Sequence, residues 1–118
     1  MINGAHLILY STDVEADRAF IRDVLGFSDI DVGGGWLIFK LPPAEIAVHP
    51  TDGPAKHELY LMCEDIQQTL ADLTARGVTI SRPVSEERWG LLASIQLPSG
   101  SDLSIYQPRH PTAYDLDG

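Results

Sequence analysis

A chain of 118 residues, 44% apolar and 21% charged, can bury one domain's core without disulfide or metal staples. Its 17 acidic against 8 basic side chains give a net charge of -9, which repels phosphate backbones and argues against nucleic acid as a partner. One cysteine, Cys63, excludes an internal disulfide and fits a reducing cytoplasm; no apolar run or leader-like opening points to a membrane, so a soluble cytoplasmic protein is expected.

In chain order, residues 5–10 read as a strand followed by the turn-prone Ser11-Thr12-Asp13. Thr12 with Glu15 three positions on has the form of a capping box. The helix behind it aligns Ala16, Phe20, Ile21, Val24 and Leu25 in one apolar stripe, and Gly26 suits the left-handed position that stops it. Short strands follow at 27–32 and 36–41, around a triple-glycine hairpin at 33–35 expected to be flexible. Pro42-Pro43 breaks the second of these, and 45–49 forms another strand.

After a proline-bearing linker at 50–56 the plan repeats. A strand at 58–63 leads to a helix at about 65–76 with Ile66, Leu70 and Leu73 inward, then Gly77, then strands near 78–81, 91–97 and 102–107. His6 leads to Asp13 as Glu58 leads to Asp65, at the same separation, and the endings 45–50 and 102–108 are similar phrases. The last ten residues, rich in Pro, Asp and Gly, are expected along the surface. The reading is one α+β domain over 1–118: two βαβββ modules, about 3–50 and 57–108, whose curled mixed sheet encloses a cleft with the helices outside.

Strand alternation assigns sides. Leu7, Leu9, Ile46, Val48, Leu59, Leu61, Leu103 and Ile105 should pack on the helices. The other face carries His6, Ile8, Tyr10, Glu45, Ala47, His49, Glu58, Tyr60, Met62, Asp102, Ser104 and Tyr106. Lysine and arginine are absent from that set, while histidine, acids and tyrosine crowd it. This composition suits a cavity lining better than a wet surface.

On these phrases, and above all on Phe20-Ile21-Arg22-Asp23-Val24-Leu25-Gly26-Phe27, the chain resembles the vicinal oxygen chelate superfamily of glyoxalases, bleomycin-resistance proteins and extradiol dioxygenases. The resemblance runs from about residue 3 to 108. It implies the paired-module fold, a small-molecule ligand and a homodimer. It also implies a divalent metal held by the first and last strand of each module, which here means His6, Ala47, Glu58 and Ser104. Ala47 and Ser104 depart from that pattern, since both places normally carry glutamate.

Two functional classes therefore stand side by side. In one, a metalloenzyme binds Fe, Mn, Ni or Zn through His6, Glu58 and His49, with Glu45 as an alternative to His49, and His6 or Glu58 moves a proton on an oxygenated substrate. In the other, a metal-free protein sequesters a small molecule, with Tyr10, Glu45, His49, Tyr60, Ser104 and Tyr106 as contacts. His57 points away from the cleft unless the register slips by one. Trp36 and Trp89 read as core or dimer packing, and Cys63 as a packed thiol.

Overall fold

The computed structural model describes residues 6–45, 47, 50, 52–54 and 57–116. Both helices start alike. α1 (Val14–Asp23) is capped by Asp13, whose carboxylate accepts from the Ala16 amide at 3.3 Å. α2 (Ile66–Ala75) is capped by Asp65, which accepts from the Gln68 amide at 3.1 Å. An acceptor at this place satisfies an amide that the first helical turn leaves without a carbonyl. The first cap is thus Asp13 rather than Thr12. The duplicated aspartates of the sequence are the two caps. Gly26 and Gly77 take φ of 75° and 83°, and the amides of Phe27 and Val78 return to the carbonyls of Ile21 and Leu73 at 3.2 and 3.0 Å.

The first half adds β1 (Asp29–Asp31) and β2 (Leu37–Phe39), an antiparallel pair shorter than the sequence predicts. Their glycine turn is capped by Asp31, whose Oδ1 accepts from the Gly33 amide at 2.8 Å and the Gly35 amide at 3.3 Å. Arg18 of α1 donates to the Gly35 carbonyl at 3.2 Å and lies 5.0 Å over the Trp36 ring. Residues 6–10 carry no strand, and Leu7 and Leu9 are each 44% exposed where the alternation predicts burial. A strand needs a ladder partner, and the one the duplication offers, 45–49, lies mostly outside the described residues.

The second half builds its four-stranded sheet in full. β3 (Tyr60–Met62), β4 (Ile80–Glu87), β5 (Gly90–Gln96) and β6 (Asp102–Pro108) are ordered β3-β6-β5-β4. β3 runs parallel to β6, and the other pairs are antiparallel. β4 extends beyond its expected end at 81. Alternation sends Ala93, Ile95, Leu103 and Ile105 toward α2, where they meet Ile66, Leu70 and Leu73. Ile66 and Ile95 are 0% exposed, and burying such a side chain contributes about 1.5–3 kcal/mol each. Leu59 and Leu61 pack partly buried against this core, as predicted.

The halves are joined by polar anchors. Asp17 of α1 is buried, and Ser99 donates to its carboxylate from the amide at 3.1 Å and from the hydroxyl at 2.8 Å. Arg76, closing α2, donates to the Val24 carbonyl closing α1 at 2.7 Å. Phe20, Ile21, Val24 and Leu25 bring the predicted α1 stripe to the shared core. Among the described residues no helix is long and apolar enough to cross a membrane.

Candidate functional site

The sheet face turned away from α2 collects the chemistry. Register places Tyr60 beside Ser104, Ser104 beside Ser94, and Ser94 beside Arg82, so one row crosses β3, β6, β5 and β4. The next row holds Met62, Tyr106, Leu92 and Ser85. Residues paired across neighbouring strands project on the same side, which is why four strands present one continuous surface.

Aromatic rings form the apolar part of that surface. Tyr60 meets Tyr106 edge-on at 6.1 Å between centroids, and Trp89 meets Tyr106 in the same way at 5.2 Å. The Tyr106 hydroxyl donates to the Trp89 carbonyl at 3.0 Å. Its ring lies over Gly90, at the start of β5, where a β carbon would come within 2.4 Å of Tyr106 Cε1. Only glycine leaves room for the ring in this position.

Polar groups surround the rings. The Tyr60 hydroxyl donates to Glu58 Oε2, and Ser94 and Ser104 share a hydrogen bond at 3.3 Å between Oγ atoms. The carboxylate of Glu58, through that bond first and its charge as well, together with burial, pushes the Tyr60 phenol up to about 12 against a lowering pull from Arg82. Tyr60 therefore stays a protonated donor at neutral pH. Burial and the charge of Glu45 also raise Tyr106. Glu58 and Arg82 place opposite charges around Tyr60, so the face offers a donor and an acceptor of each kind.

Of the residues singled out in the sequence, Glu58, Tyr60, Ser104 and Tyr106 come together here. Glu45 reaches the same neighbourhood through the chain's end: its Oε2 lies 3.9 Å from His110 Nε2, and that nitrogen is 2.5 Å from the Tyr106 hydroxyl. His6 and Tyr10 sit on the exposed 6–10 stretch, Tyr10 at 90% exposure, and no described contact joins them to this face. His49 lies outside the described residues. Arg82, Trp89, Ser94 and His110 were not assigned to the site by sequence. Trp89 carries a signal, a tryptophan beside a glycine at a strand start, but core or dimer packing is the reading that its sequence context favours. Cys63 is half-buried with its thiol 3.7 Å from the Tyr106 carbonyl, and desolvation raises it.

Two of the four expected ligand positions do not suit a divalent cation. Ala47 has no ligating atom, Ser104 is a neutral hydroxyl paired with Ser94, and Glu58 accepts from Tyr60. Among the described residues no three histidine, cysteine, aspartate or glutamate side chains gather as a metal site. Two shallow hollows of about 240 and 280 Å³ are lined by Val24, Arg76 and neighbours; the second reaches Met62, and neither includes Tyr60 or Tyr106.

No protein-family model and no curated protein matches the sequence. Solved structures do. TnmS3, an antibiotic binding protein from Streptomyces sp. CB03234, is 24% identical over 92% of this chain and 99% of its own, with a TM-score of 0.64. A member of the glyoxalase/bleomycin resistance protein/dioxygenase superfamily from Sphaerobacter thermophilus is 21% identical over 90% and 98%, with a TM-score of 0.63.

The chain has a vicinal oxygen chelate-like fold.

A lactoylglutathione lyase from Agrobacterium tumefaciens shares that fold at 20% identity, over 84% of this chain and 88% of its own, with a TM-score of 0.58. Binders and catalysts thus use one vicinal oxygen chelate-like framework, and residues, not topology, must decide between them. The α+β class expected from the sequence is the one observed, with two α-helices, an antiparallel pair and a four-stranded mixed sheet among the described residues.

Proposed function

We propose that this protein binds a small, flat aromatic molecule with hydrogen-bonding groups at its edge, on the Tyr60–Tyr106–Trp89 face and without a metal. The observation that carries this reading is the pairing of an aromatic platform with hydroxyls and opposite charges; alanine and serine at two of the four ligand positions that the resemblance implies support a metal-free site. Aromatic rings contribute area and orientation, and the hydroxyls of Tyr60 and Ser104 with the Glu58 carboxylate offer hydrogen bonds to the ligand's polar edge. The printed description of TnmS3 as an antibiotic binding protein supports sequestration as the role. A net charge of -9 would draw a cationic ligand from a distance.

Homodimerisation belongs to the same proposal. Leu7, Ile8, Leu9, Ile30, Val32 and Trp36 are all exposed large apolar side chains, and a second copy would cover them. Cytoplasmic residence suits the free Cys63 thiol.

Elemental analysis of untagged protein, repeated on His6→Ala and Glu58→Ala, tests the reading against its rival. Metal-free protein that is stabilised to heat by amphipathic aromatic compounds supports it. Near-stoichiometric Fe, Mn, Ni or Zn, lost in both variants, would establish the metalloenzyme instead.

A further inference from the structure

The segment that follows β6 does not leave the domain. It crosses the aromatic face and ends on the other half of the chain. The Arg109 amide donates to the Trp89 carbonyl at 3.0 Å, and its guanidinium pairs with Glu86 at 2.8 Å. The His110 ring lies 5.8 Å from the Tyr106 ring, tilted by 37°, with Nε2 against the Tyr106 hydroxyl at 2.5 Å. His110 Nδ1 donates to the Pro111 carbonyl at 2.8 Å, which sets the ring's orientation. A single 3-10 turn, Ala113–Asp115, then anchors the segment, because the Ala113 amide donates to Glu45 Oε1 at 2.9 Å. Thr112 bonds to Asp115 and closes that turn.

We infer that residues 109–116 form a displaceable strap that occupies the Tyr106 face in the free protein and is released when a ligand takes the same face. This inference rests on the binding reading given above. Three features support release rather than permanent packing. Apart from the His110–Tyr106 ring contact each anchor named is polar, and none of residues 109–116 is buried. Leu116 is 75% exposed, so the strap's end contributes little apolar burial. And the His110 ring occupies the flank of Tyr106, so a flat ligand stacking there has to move it. A strap of this kind lowers apparent affinity by the fraction of molecules in which it is closed.

Two full-length variants separate the strap from the platform. His110→Ala removes the ring from Tyr106. Ala113→Pro removes only the amide donor to Glu45: position 113 opens the 3-10 turn, where proline is accommodated, and Thr112 at φ -90° and ψ 131° already has the backbone that precedes proline. The probe is proflavine, a flat tricyclic cation, titrated by its fluorescence into wild type and both variants. Amide hydrogen exchange of Arg109 and Ala113 is followed in parallel.

The expected result is binding about tenfold tighter in both variants, corresponding to a strap closed in roughly nine molecules of ten. Exchange at both amides should accelerate in wild type on adding proflavine, while Ile95 and Ile105 stay protected. Equal or weaker binding by Ala113→Pro overturns the strap and leaves the binding face intact. Failure of all three proteins to bind proflavine overturns the binding reading and the strap together.

Discussion

Tyr106 rests on Gly90: a β carbon at position 90 would come within 2.4 Å of both Tyr106 Cε1 and the Gln107 carbonyl oxygen. One of those atoms belongs to a side chain and the other to the backbone of β6, so ring rotation alone cannot relieve the contact. The glycine that opens β5 is therefore what lets the platform's central ring lie flat.

Gly90→Ala should destabilise the fold by about 1–3 kcal/mol, the usual cost of overpacking, and displace Tyr106 from Trp89. Thermal unfolding followed by circular dichroism would show a melting point lower by several degrees. An unchanged melting point would mean that β5 and β6 separate without strain.

The buried Asp17 carboxylate is held by Ser99 through two hydrogen bonds, tying α1 to the β5–β6 turn. Asp17→Ala leaves the Ser99 donors to find other partners and should cost about 1–3 kcal/mol in urea unfolding. Ser99→Ala removes only the hydroxyl bond, so its effect should be smaller. In a double-mutant cycle the double variant should lose less than the sum of the two singles; additive effects would show that the two residues act independently.

The Tyr60 phenol, raised to about 12 by Glu58, gives an alkaline signature. The folded protein holds the phenolic proton more tightly than the unfolded chain, whose tyrosines ionise near 10. Stability from this bond is therefore fully present below pH 10 and is lost as pH climbs toward 12. Phenolate absorbance should show Tyr60 among the late-titrating tyrosines, and Glu58→Ala should shift it to lower pH. No shift in that variant would remove the Tyr60–Glu58 bond from the account.

Sequence and structure agree best where burial dictates the pattern. The stripe of Ile66, Leu70 and Leu73, and the alternation of Leu103 and Ile105, were readable because apolar periodicity has one physical cause. The repeated aspartates were legible as a pattern, although the cap is Asp13 rather than Thr12, because Asp13 is the residue immediately before the first helical turn. The site was only half legible. Tyr60, Ser104 and Tyr106 follow from alternation, whereas Arg82 depends on β4 running past its expected end. His110 depends on the fold-back of a segment with no periodicity at all. Residues 6–10 read as a strand from composition alone, but a ladder needs a partner that composition cannot supply.

Platform variants should rank by ring contact. Trp89→Ala and Tyr60→Ala should each weaken proflavine binding about threefold to tenfold, the range expected for loss of one aromatic contact. Ser85→Ala, farther along the second row, should change it little. An equal loss in all three would indicate general unfolding instead of local contact, which circular dichroism would reveal.

The most direct measurement is an amide-resolved NMR titration of the wild-type chain with proflavine in excess chelator. A metal-independent binding face predicts shifts at Gly90, Ser94, Ser104 and Tyr106, with Ile66 and Leu70 unmoved. Shifts that arise only after a divalent cation is restored, or that fall on α2 instead, would contradict it.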